Sequence, residues 1–299
     1  MMRLPPEAGS HALAERFPSR ATSWQLPNRA LALPARPLVM GILNVTPDSF
    51  SDGGKFAATE AAIDHALRLA DQGADLLDIG GESTRPYSEP VDVETELARV
   101  MPVIEALAPR LSIPLSIDTS KAEVARRALA HGAEIINDIT ALADPRMLEV
   151  AQASQCGVCV MHMQGTPQTM QDDPTYGDVV EEVLVFLRQR RDALAAAGLD
   201  ASRIALDPGI GFGKTHEHNL RLVAASHRLH ELGCPLLVGP SRKAFIGKLM
   251  GDKEADRTAG TLGVVLSLAC QGVQLVRVHD VAEVRQALTL FEASGGLAT

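Results

Sequence analysis

Eight short apolar segments of this chain end in polar residues that can bind a ligand or take part in catalysis. Along the sequence these endings carry Asn44, Thr84 and Arg85, Asp118, Asn137 and Asp138, His162, Asp207, Ser241 and Lys243, and Arg277 and His279. A parallel α/β barrel brings the carboxyl ends of its eight strands to one face, where such enzymes have their active sites. The pattern therefore predicts an enzyme whose site residues come from most of the chain.

Two aspartates and an asparagine among these residues suit a flat heterocycle that carries several N–H groups. Asp118 and Asp207 directly follow apolar segments, and Asn137 lies between them in the chain. Two carboxylates buried together repel each other and lose hydration, so they need donors, which a guanidine-like edge of a ligand can supply. The structural alternative for Asp118 is that it caps a helix starting near Ser120.

A lysine and an arginine–histidine pair follow the last two apolar segments. Lys243 can form a Schiff base or act as a hydrogen-bonding cation, and a plain surface lysine is the structural alternative. Arg277 and His279 alternate in R-V-H, so both side chains point to the same face of their strand. Late barrel strands commonly contribute a phosphate site, and arginine offers paired donors to phosphoryl oxygens. This pair therefore favours an anion site.

Two polar loops follow the first two strands and have the composition of mobile lids. The first runs N-V-T-P-D-S-F-S-D-G-G from Asn44, and the second begins with S-T-R-P at Ser83–Pro86. The side-chain oxygen of Asn44 suits a hard cation held mainly by water and substrate phosphates. A glycine-rich stretch at Gly209–Lys214 does not predict a P-loop, because Pro208 stands where that motif needs its first glycine.

The elements that must hold these residues alternate regularly from Pro37 onward. Strands are predicted near residues 38–44, 75–79, 114–117, 133–137, 157–162, 203–206, 235–238 and 274–278. Helices are predicted at 59–72, 93–108, 120–131, 145–154, 177–197, 216–232, 255–271 and 280–293. Strands that are apolar throughout are buried on both faces, and helices at this spacing form crossover connections. The pattern predicts an α/β fold, a (β/α)8 TIM barrel over residues 37–299. An open doubly wound sheet, which gathers ligand residues at one switch point, is the alternative.

Residues 1–36 are predicted to form a short N-terminal extension. They are rich in proline and show no sustained period. We expect this extension to be partly disordered, or to cap the bottom of the barrel with residues 23–35.

Composition limits the class of protein. The chain has 299 residues, of which 46% are hydrophobic, and a formal net charge of −9, which disfavours a primary role in nucleic-acid binding. No stretch reaches the roughly 20 apolar residues of a membrane span. Cys156 and Cys159 lie in an apolar run, where core packing is favoured over a metal or redox pair. We therefore expect a cytoplasmic protein with reduced thiols.

Together the motifs resemble those of the dihydropteroate synthases, the pterin-binding barrels of folate biosynthesis that sulfonamides inhibit. The resemblance runs from about Val39 to Ala287 on the motifs M-G-I-L-N-V-T-P-D-S-F-S-D-G-G, D-I-G-G-E-S-T-R-P, S-I-D-T, I-I-N-D-I, M-H-M-Q-G-T-P, D-P-G-I-G-F-G-K, G-P-S-R-K and R-V-H-D-V. It implies a transferase that condenses 7,8-dihydropterin-6-ylmethyl diphosphate with 4-aminobenzoate to give 7,8-dihydropteroate and diphosphate. It also implies Mg²⁺ as cofactor and a homodimer formed through the late helices.

The resemblance implies a role for each residue that matches a motif. The pterin would be held by Asp118, Asn137, Asp207 and Lys243, with Met161 and Phe212 lining its pocket, and Asp118, Asp207 and Lys243 would be catalytic. Asn44 would bind Mg²⁺, and the diphosphate would be met by Thr84, Arg277 and His279. The aminobenzoate site would be formed by Phe50, Arg85, Pro86 and Ser241 as the two loops close.

Two alternatives and one departure qualify the resemblance. A corrinoid-linked methyltransferase with the same barrel would not need the aminobenzoate loops or the pair Arg277 and His279, so their presence disfavours it. A non-catalytic pterin-binding member would lack key residues, whereas every matched position is filled. After S-T-R-P the family usually has a small Gly-Ala-like pair, and this chain has Tyr87-Ser88, which affects the expected shape of the second loop.

Overall fold

Eight parallel strands form the frame of the protein, for which a computed structural model describes residues 13–46, 54–252 and 254–297. An antiparallel hairpin precedes them, with strands β1 (Ser23–Gln25) and β2 (Ala30–Ala32). The parallel strands are β3 (Leu38–Asn44), β4 (Leu76–Gly80), β5 (Leu115–Asp118), β6 (Ile135–Asp138), β7 (Gly157–Met161), β8 (Ile204–Asp207), β9 (Leu237–Val238) and β10 (Leu275–Val278). They pair in the order β8-β7-β6-β5-β4-β3-β10-β9.

The two outer strands of this order also meet, so the sheet closes on itself. A parallel bridge joins Leu206 of β8 to Leu236, just before β9. The backbone N–H of Leu206 donates to the carbonyl of Pro235 at 2.8 Å. This closure confirms the predicted TIM barrel and shows that the open-sheet alternative is wrong.

Helices connect the strands on the outside of the barrel. They are α1 (Gly54–Asp71), α2 (Val93–Leu107), α3 (Ala122–Ala130), α4 (Pro145–Ser154), α5 (Val179–Ala196), α6 (His216–Ala224), α7 (Ala244–Met250), α8 (Thr258–Cys270) and α9 (Val281–Ala293). Outward-facing strand residues such as Val39, Ile79 and Ile117 are fully buried beneath them. Within the described part of the chain, no helix has both the length and the apolar character needed to cross a membrane.

Two helical regions differ from the predicted pattern. The helix predicted over 216–232 ends at Ala224 and continues as a 3₁₀ helix at Ser226–Leu232, where the Ser226 hydroxyl donates to the carbonyl of Leu222 at 2.9 Å. Such a side-chain bond competes with regular helical geometry. Helix α7 was not predicted, because its seven residues are too few to show helical periodicity.

The hairpin closes the amino-terminal end of the barrel. Trp24 is fully buried, and its indole N–H donates to the carbonyl of Arg203 at 2.8 Å. It packs in one apolar cluster with Leu26 and Leu33 of the hairpin region and with Met40, Leu76, Ile135, Cys159, Ala205, Leu237 and Leu275 of the strands. A ligand therefore meets the barrel at its opposite, carboxyl-terminal end. The division into an extension and a barrel at residue 36 stays a prediction, and residues 1–12 lie outside the described residues.

The cysteine pair Cys156 and Cys159 belongs to the core. Both side chains are fully buried and both thiols are free. Burial raises the pKa of each thiol, which is the behaviour of small buried hydrophobes rather than of reactive thiolates. The packing prediction for this pair is confirmed.

Candidate active site

The strand register brings the predicted site residues to one rim. Asn44 pairs with Gly80, Gly80 pairs with Asp118, and Asp118 pairs with Asn137 across neighbouring strands. On the far side of the barrel, Met161 pairs with Asp207. Residues that are far apart in the chain therefore end their strands at matching heights.

Arg277 of β10 joins two carboxylates from β4 and β5. Its Nε donates to Oδ2 of Asp78 at 2.6 Å, and its Nη2 donates to Oδ2 of Asp118 at 2.8 Å. The side-chain amide of Asn137 donates to the same Asp78 oxygen at 2.9 Å. The alternative in which Asp118 caps the next helix is wrong. The N-cap position of α3 is occupied by Lys121, and no side chain makes a capping hydrogen bond there.

Sequence reasoning missed Asp78, which is fully buried at the centre of this network. A signal was present, because an aspartate in an apolar strand such as L-L-D-I-G must be paired if it is buried. Burial works against the charged form of Arg277, but the carboxylates of Asp78 and Asp118 outweigh it and raise the pKa of the guanidinium. Burial raises the pKa of Asp118, against the opposing effect of Arg277.

Asp207 and Lys243 lie on the other side of the rim, where each affects the pKa of the other electrostatically. Burial raises the pKa of Asp207 from 3.8 to about 6, although its Oδ1 accepts a hydrogen bond from the N–H of Gly209 at 2.7 Å. Burial also lowers the pKa of Lys243 to about 8, and Arg277 and Asp207 act on it in opposite directions. The ammonium of Lys243 lies 4.2 Å from the ring centroid of the half-buried Phe212, a cation–π contact.

The glycine-rich stretch after Asp207 makes room for these side chains. Gly209 has φ +68°, and a Cβ there would lie 1.9 Å from the carbonyl oxygen of His162. Gly211 has φ +84°, and a Cβ there would lie 2.9 Å from Cδ of Lys243. The glycines thus let the loop pass close to β7 and to the lysine, which explains their spacing without a nucleotide site.

Sequence reasoning also missed Lys214, which is 2% exposed. Its Nζ lies 2.9 Å from Nδ1 of His162 and donates to the carbonyl of Phe212 at 2.9 Å. Burial lowers the pKa of Lys214 to about 7 and that of His162 to about 3. Lys214 therefore ties the loop that carries Phe212 to the end of β7. A lysine after glycines gives no sequence signal for such burial.

Ser241 and His279 form a pair next to Arg277. Oγ of Ser241 lies 3.0 Å from Nδ1 of His279, and the N–H of His279 donates to the same hydroxyl at 3.2 Å. Burial lowers the pKa of His279 to about 4. The imidazole is therefore neutral near pH 7, and its Nε2 can donate a hydrogen bond to an anion without carrying a charge.

The second loop is fastened to the loop after β7. Thr84 is half-buried, whereas Arg85 and Pro86 are exposed. Tyr87 has φ +64°, a conformation in which glycine is favoured, and its hydroxyl donates to Asp172 at 3.2 Å. Its backbone N–H donates to the carbonyl of Pro167 at 3.1 Å. The position that departs from the family pattern is thus one where a small residue would fit without strain.

A buried ion cluster holds the start of this loop. Nζ of Lys121 lies 2.6 Å from carboxylate oxygens of both Glu82 and Glu96. Glu96 is fully buried, and the other carboxylate oxygen of Glu82 accepts a hydrogen bond from Val91 at 3.0 Å. The loop between Glu82 and Val91 is therefore anchored at both ends.

Not every polar strand end contributes to this cluster. Asp138 is fully buried and accepts hydrogen bonds from the backbone of Thr140 and Leu142, so it shapes a turn. His162 contacts Lys214 and packs edge-on against Phe186. Phe50, predicted for the aminobenzoate site, lies outside the described residues.

The residues available as metal ligands decide which kind of Mg²⁺ site Asn44 could form. Asn44 is half-buried at the end of β3. Among the described residues, no group of three or more His, Cys, Asp or Glu side chains could hold a metal ion. A single amide oxygen fits Mg²⁺ that keeps several waters and is bound mostly by substrate phosphates. It does not fit a metal held by an all-protein cage.

The rim as a whole offers acceptors on two sides and cations between them. Asp118, Asn137 and Asp207 can accept or donate hydrogen bonds at the edge of a planar ring, with Met161 and Phe212 beside it. Arg277 and the neutral His279, separated by one residue in the chain, add donors of a kind that suits an anion. The arrangement can therefore hold a heterocycle next to a phosphate-bearing group.

Comparisons with known proteins agree with this chemistry. The family model described as pterin binding enzyme matches residues 40–279. The dihydropteroate synthase of Escherichia coli K12 is 46% identical over 260 residues, which cover 87% of this chain and 92% of that protein. Two solved structures are also similar. The Yersinia pestis dihydropteroate synthase with a sulfonamide drug has a TM-score of 0.85 and 45% identity, covering 91% of this chain and 98% of the other. The Xanthomonas albilineans enzyme in complex with 7,8-dihydropteroate has a TM-score of 0.82 and 48% identity, with the same coverage.

The raised pKa of Asp207 makes a prediction about stability. Because the folded pKa of about 6 exceeds the ordinary 3.8, the contribution of this group is fully present below pH 3.8 and is lost as the pH rises through 6. The exchange Asp207→Asn removes this dependence. The free energy of unfolding of the variant minus that of the parent should therefore be larger at pH 7.5 than at pH 4 by roughly 2 to 3 kcal/mol.

Urea unfolding followed by circular dichroism at several pH values measures this difference. Asp192→Asn is the matched control, because Asp192 is exposed on α5 and should show no comparable dependence. A constant difference between Asp207→Asn and the parent across the pH range would contradict the prediction.

Proposed function

The chain belongs to the pterin-binding enzymes and, among them, to the dihydropteroate synthases, and from this premise we propose which residues carry each part of the reaction. It is a transferase of folate biosynthesis that joins 7,8-dihydropterin-6-ylmethyl diphosphate to 4-aminobenzoate and releases diphosphate. The observation that carries the assignment of residues is the convergence of Asp118, Asp207, Lys243 and Arg277 at one rim of the barrel, where each contacts or electrostatically affects another.

The dihydropterin ring lies between the two aspartates in this proposal. Asp118 and Asp207 accept hydrogen bonds from its N–H groups, with Asn137 beside Asp118 in the register. Lys243 donates to the ring carbonyl or a ring nitrogen, and its contact with Phe212 keeps it over the pocket. Ring N–H donors offset the cost of burying the two carboxylates, which is largest while the site is empty.

The diphosphate lies toward Arg277 and His279, with Thr84 on the loop above. Arg277 supplies charged donors and the neutral His279 supplies a further donor. Asn44 would hold Mg²⁺, which would supply positive charge next to the departing diphosphate. The single amide ligand and the adjacent anion site are what favour magnesium here.

The aminobenzoate approaches beneath the two loops. Arg85, Pro86 and Ser241 form its site in this proposal, together with Phe50 of the first loop. The bonds from Tyr87 to Asp172 and Pro167 give the second loop a fixed base from which it covers the site. The relatives of this family include one solved with a sulfonamide, so this loop is also where such a drug would be met.

We propose that diphosphate leaves before the amine attacks. The carbon–oxygen bond to the diphosphate breaks with its electron pair moving to oxygen, and the positive charge spreads from the exocyclic methylene into the dihydropterin ring. The carboxylates of Asp118 and Asp207 stabilise that charge. The amine nitrogen then forms the new carbon–nitrogen bond and loses a proton. Because an aniline adduct is strongly acidic, water or the diphosphate can take this proton, and no dedicated base is required.

We also propose a cytoplasmic location. All four cysteines are free, and three of them, Cys156, Cys159 and Cys234, are buried. Unpaired cysteines in such number are typical of a reducing compartment.

A homodimer through the late helices is favoured by the surface of α8. The segment Thr258–Cys270 contains no charged residue, and Leu262, Val264 and Leu266 are only half-buried. On the neighbouring α9, Leu290 is 63% exposed. Apolar residues exposed on two neighbouring helices favour an interaction site there.

Two variants with opposite expected effects on two ligands test the residue roles. Arg277→Ala should lower kcat/KM for the diphosphate substrate by about 10²–10³-fold, in the range for loss of a donor to a charged leaving group. Its affinity for a dihydropterin without diphosphate should not fall. Asp207→Asn should strongly weaken the binding of that dihydropterin and leave the affinity for inorganic diphosphate unchanged.

Calorimetry with the two separate ligands, and an assay of diphosphate release dependent on 4-aminobenzoate, provide these measurements. Equal losses for both ligands in either variant would mean that the pterin and diphosphate sites are not divided as proposed.

Early departure of diphosphate predicts isotope exchange without the second substrate. The substrate is labelled with ¹⁸O at the oxygen that bridges the methylene carbon and phosphorus. On the enzyme, in the absence of 4-aminobenzoate, this label should appear in the non-bridging oxygens of the same phosphorus. Phosphorus NMR detects the migration. Substrate incubated without enzyme is the control, and a label that stays in the bridge while the full reaction proceeds normally argues for concerted displacement.

The dimer proposal predicts a specific effect of charge on α8. Gly263 is exposed, and a Cβ added there would meet no atom within 4 Å, so Gly263→Glu leaves the fold of one chain undisturbed. Light scattering should give twice the chain mass for the parent and a single chain mass for this variant. Ala195→Glu on the exposed face of α5 is the matched control and should stay dimeric. A parent of single chain mass would refute the proposal.

A further inference from the structure

Arg277 has two carboxylate partners that differ in how a substrate can reach them. Asp78 is fully buried, and its Oδ2 also accepts the amide of Asn137. Asp118 is half-buried at the end of its strand, where the pterin is proposed to bind. A ligand can therefore compete for Asp118, whereas the contact between Asp78 and Arg277 is shielded from it.

Two different nitrogens of the guanidinium contact these two partners. Nε is used by Asp78 at 2.6 Å, and Nη2 is used by Asp118 at 2.8 Å. A diphosphate beside Arg277 carries more negative charge than one carboxylate and presents several acceptor oxygens, so it competes well for Nη2. Nε stays with Asp78, because a buried charge left without its partner costs several kcal/mol.

We propose that Asp78 is a positioning residue that fixes Nε of Arg277 while Nη2 passes from Asp118, in the free enzyme, to the diphosphate of the bound substrate. This inference rests on the residue roles proposed above for Asp118 and Arg277. It gives Asp78 a function in the reaction although the substrate does not touch it. The planar guanidinium turns about a fixed edge and needs no movement of the strand that carries it.

The transfer couples the two halves of the substrate. When a diphosphate draws Nη2 away, Asp118 loses its cationic partner and binds the N–H donors of the pterin more strongly. When a pterin occupies Asp118, Nη2 is released for the diphosphate. Linkage requires the two effects to be equal, so each ligand tightens the other by the same factor.

Other features of Asp78 agree with a positioning role rather than a general packing role. Its Oδ1 has no hydrogen-bond partner among the described residues, so the carboxylate is held through Oδ2 alone. Both donors to that oxygen, Arg277 and Asn137, come from residues assigned to substrate binding.

Calorimetry on the full chain tests the coupling. The probe is 6-methyl-7,8-dihydropterin, which together with diphosphate has the same heavy atoms as the substrate, titrated with and without saturating inorganic diphosphate at a constant Mg²⁺ concentration. In the parent, diphosphate should increase the affinity for the dihydropterin at least about fivefold, the lower end of typical coupling between sites. In Asp78→Asn this factor should fall to between one and two. The affinity for the dihydropterin alone should be retained, because Asp118 remains.

The chain offers a matched control and a second variant. Asp75 lies just before β4, accepts a hydrogen bond from the N–H of Val39 at 2.7 Å and pairs with Arg285 at the opposite end of the barrel. Asp75→Asn should keep the full coupling. If Asp78→Asn does not fold, Arg277→Lys carries the test, because a lysine keeps the charge but cannot hold Asp78 through one nitrogen and pass another to the diphosphate.

The outcomes separate this inference from the residue roles on which it rests. Coupling in the parent that is lost in Asp78→Asn supports the transfer, and so does its loss in Arg277→Lys where Asp78→Asn does not fold. Coupling that survives in a folded Asp78→Asn, or in Arg277→Lys where that variant carries the test, overturns the inference, and so does the absence of coupling in the parent. If instead Asp118→Asn leaves the affinity for the dihydropterin unchanged, the proposed role of Asp118 is wrong, whatever the coupling.

Discussion

Carboxylates crowded into the mouth of a barrel are the constraint on which the rest of this site depends. Asp78, Asp118 and Asp207 end or approach the ends of their strands within one electrostatic neighbourhood. Taken alone they would repel one another and lose hydration. Arg277 and Lys243 relieve this only in part, since burial still raises the pKa of Asp118 and Asp207. What remains is a group of buried carboxylates short of hydrogen-bond donors, which the N–H edge of a dihydropterin would supply in the proposed arrangement.

The fold supplies this crowding through closure and through the packing behind it. The bridge between Leu206 and Leu236 brings the outer strands of the sheet order, β8 and β9, together, so that Asp207 and Lys243, which end or follow these strands, affect each other's pKa. Lys214 and the glycines around Phe212 fix the loop that carries one wall of the pocket. The buried charges that are proposed to bind substrate thus weaken the empty protein, a common trade between stability and activity.

Much of this could be predicted from sequence, and the exceptions have physical reasons. Strand ends were predictable because apolar runs stop at them, and Gly73, Gly132 and Gly198 mark helix ends with φ values of 95°, 108° and 96°. Partner choice was not predictable, since nothing in R-V-H says that Arg277 binds Asp78 and Asp118. The burial of Lys214 could not be predicted, because no periodic pattern in the sequence indicates it. Helix α7 could not be predicted either, because it is too short to show helical periodicity. The strain at Tyr87 follows from loop contacts with residues about 80 positions away.

The position of Trp24 has a practical consequence for studying this enzyme. It is the single tryptophan of the chain, fully buried at the closed end of the barrel. Its emission therefore reports whether the barrel and its hairpin are intact, and it is remote from the rim where ligands bind. Intrinsic fluorescence thus follows the folding of the barrel and its hairpin. A fluorophore introduced near the loops would add a separate signal at the opposite end of the barrel.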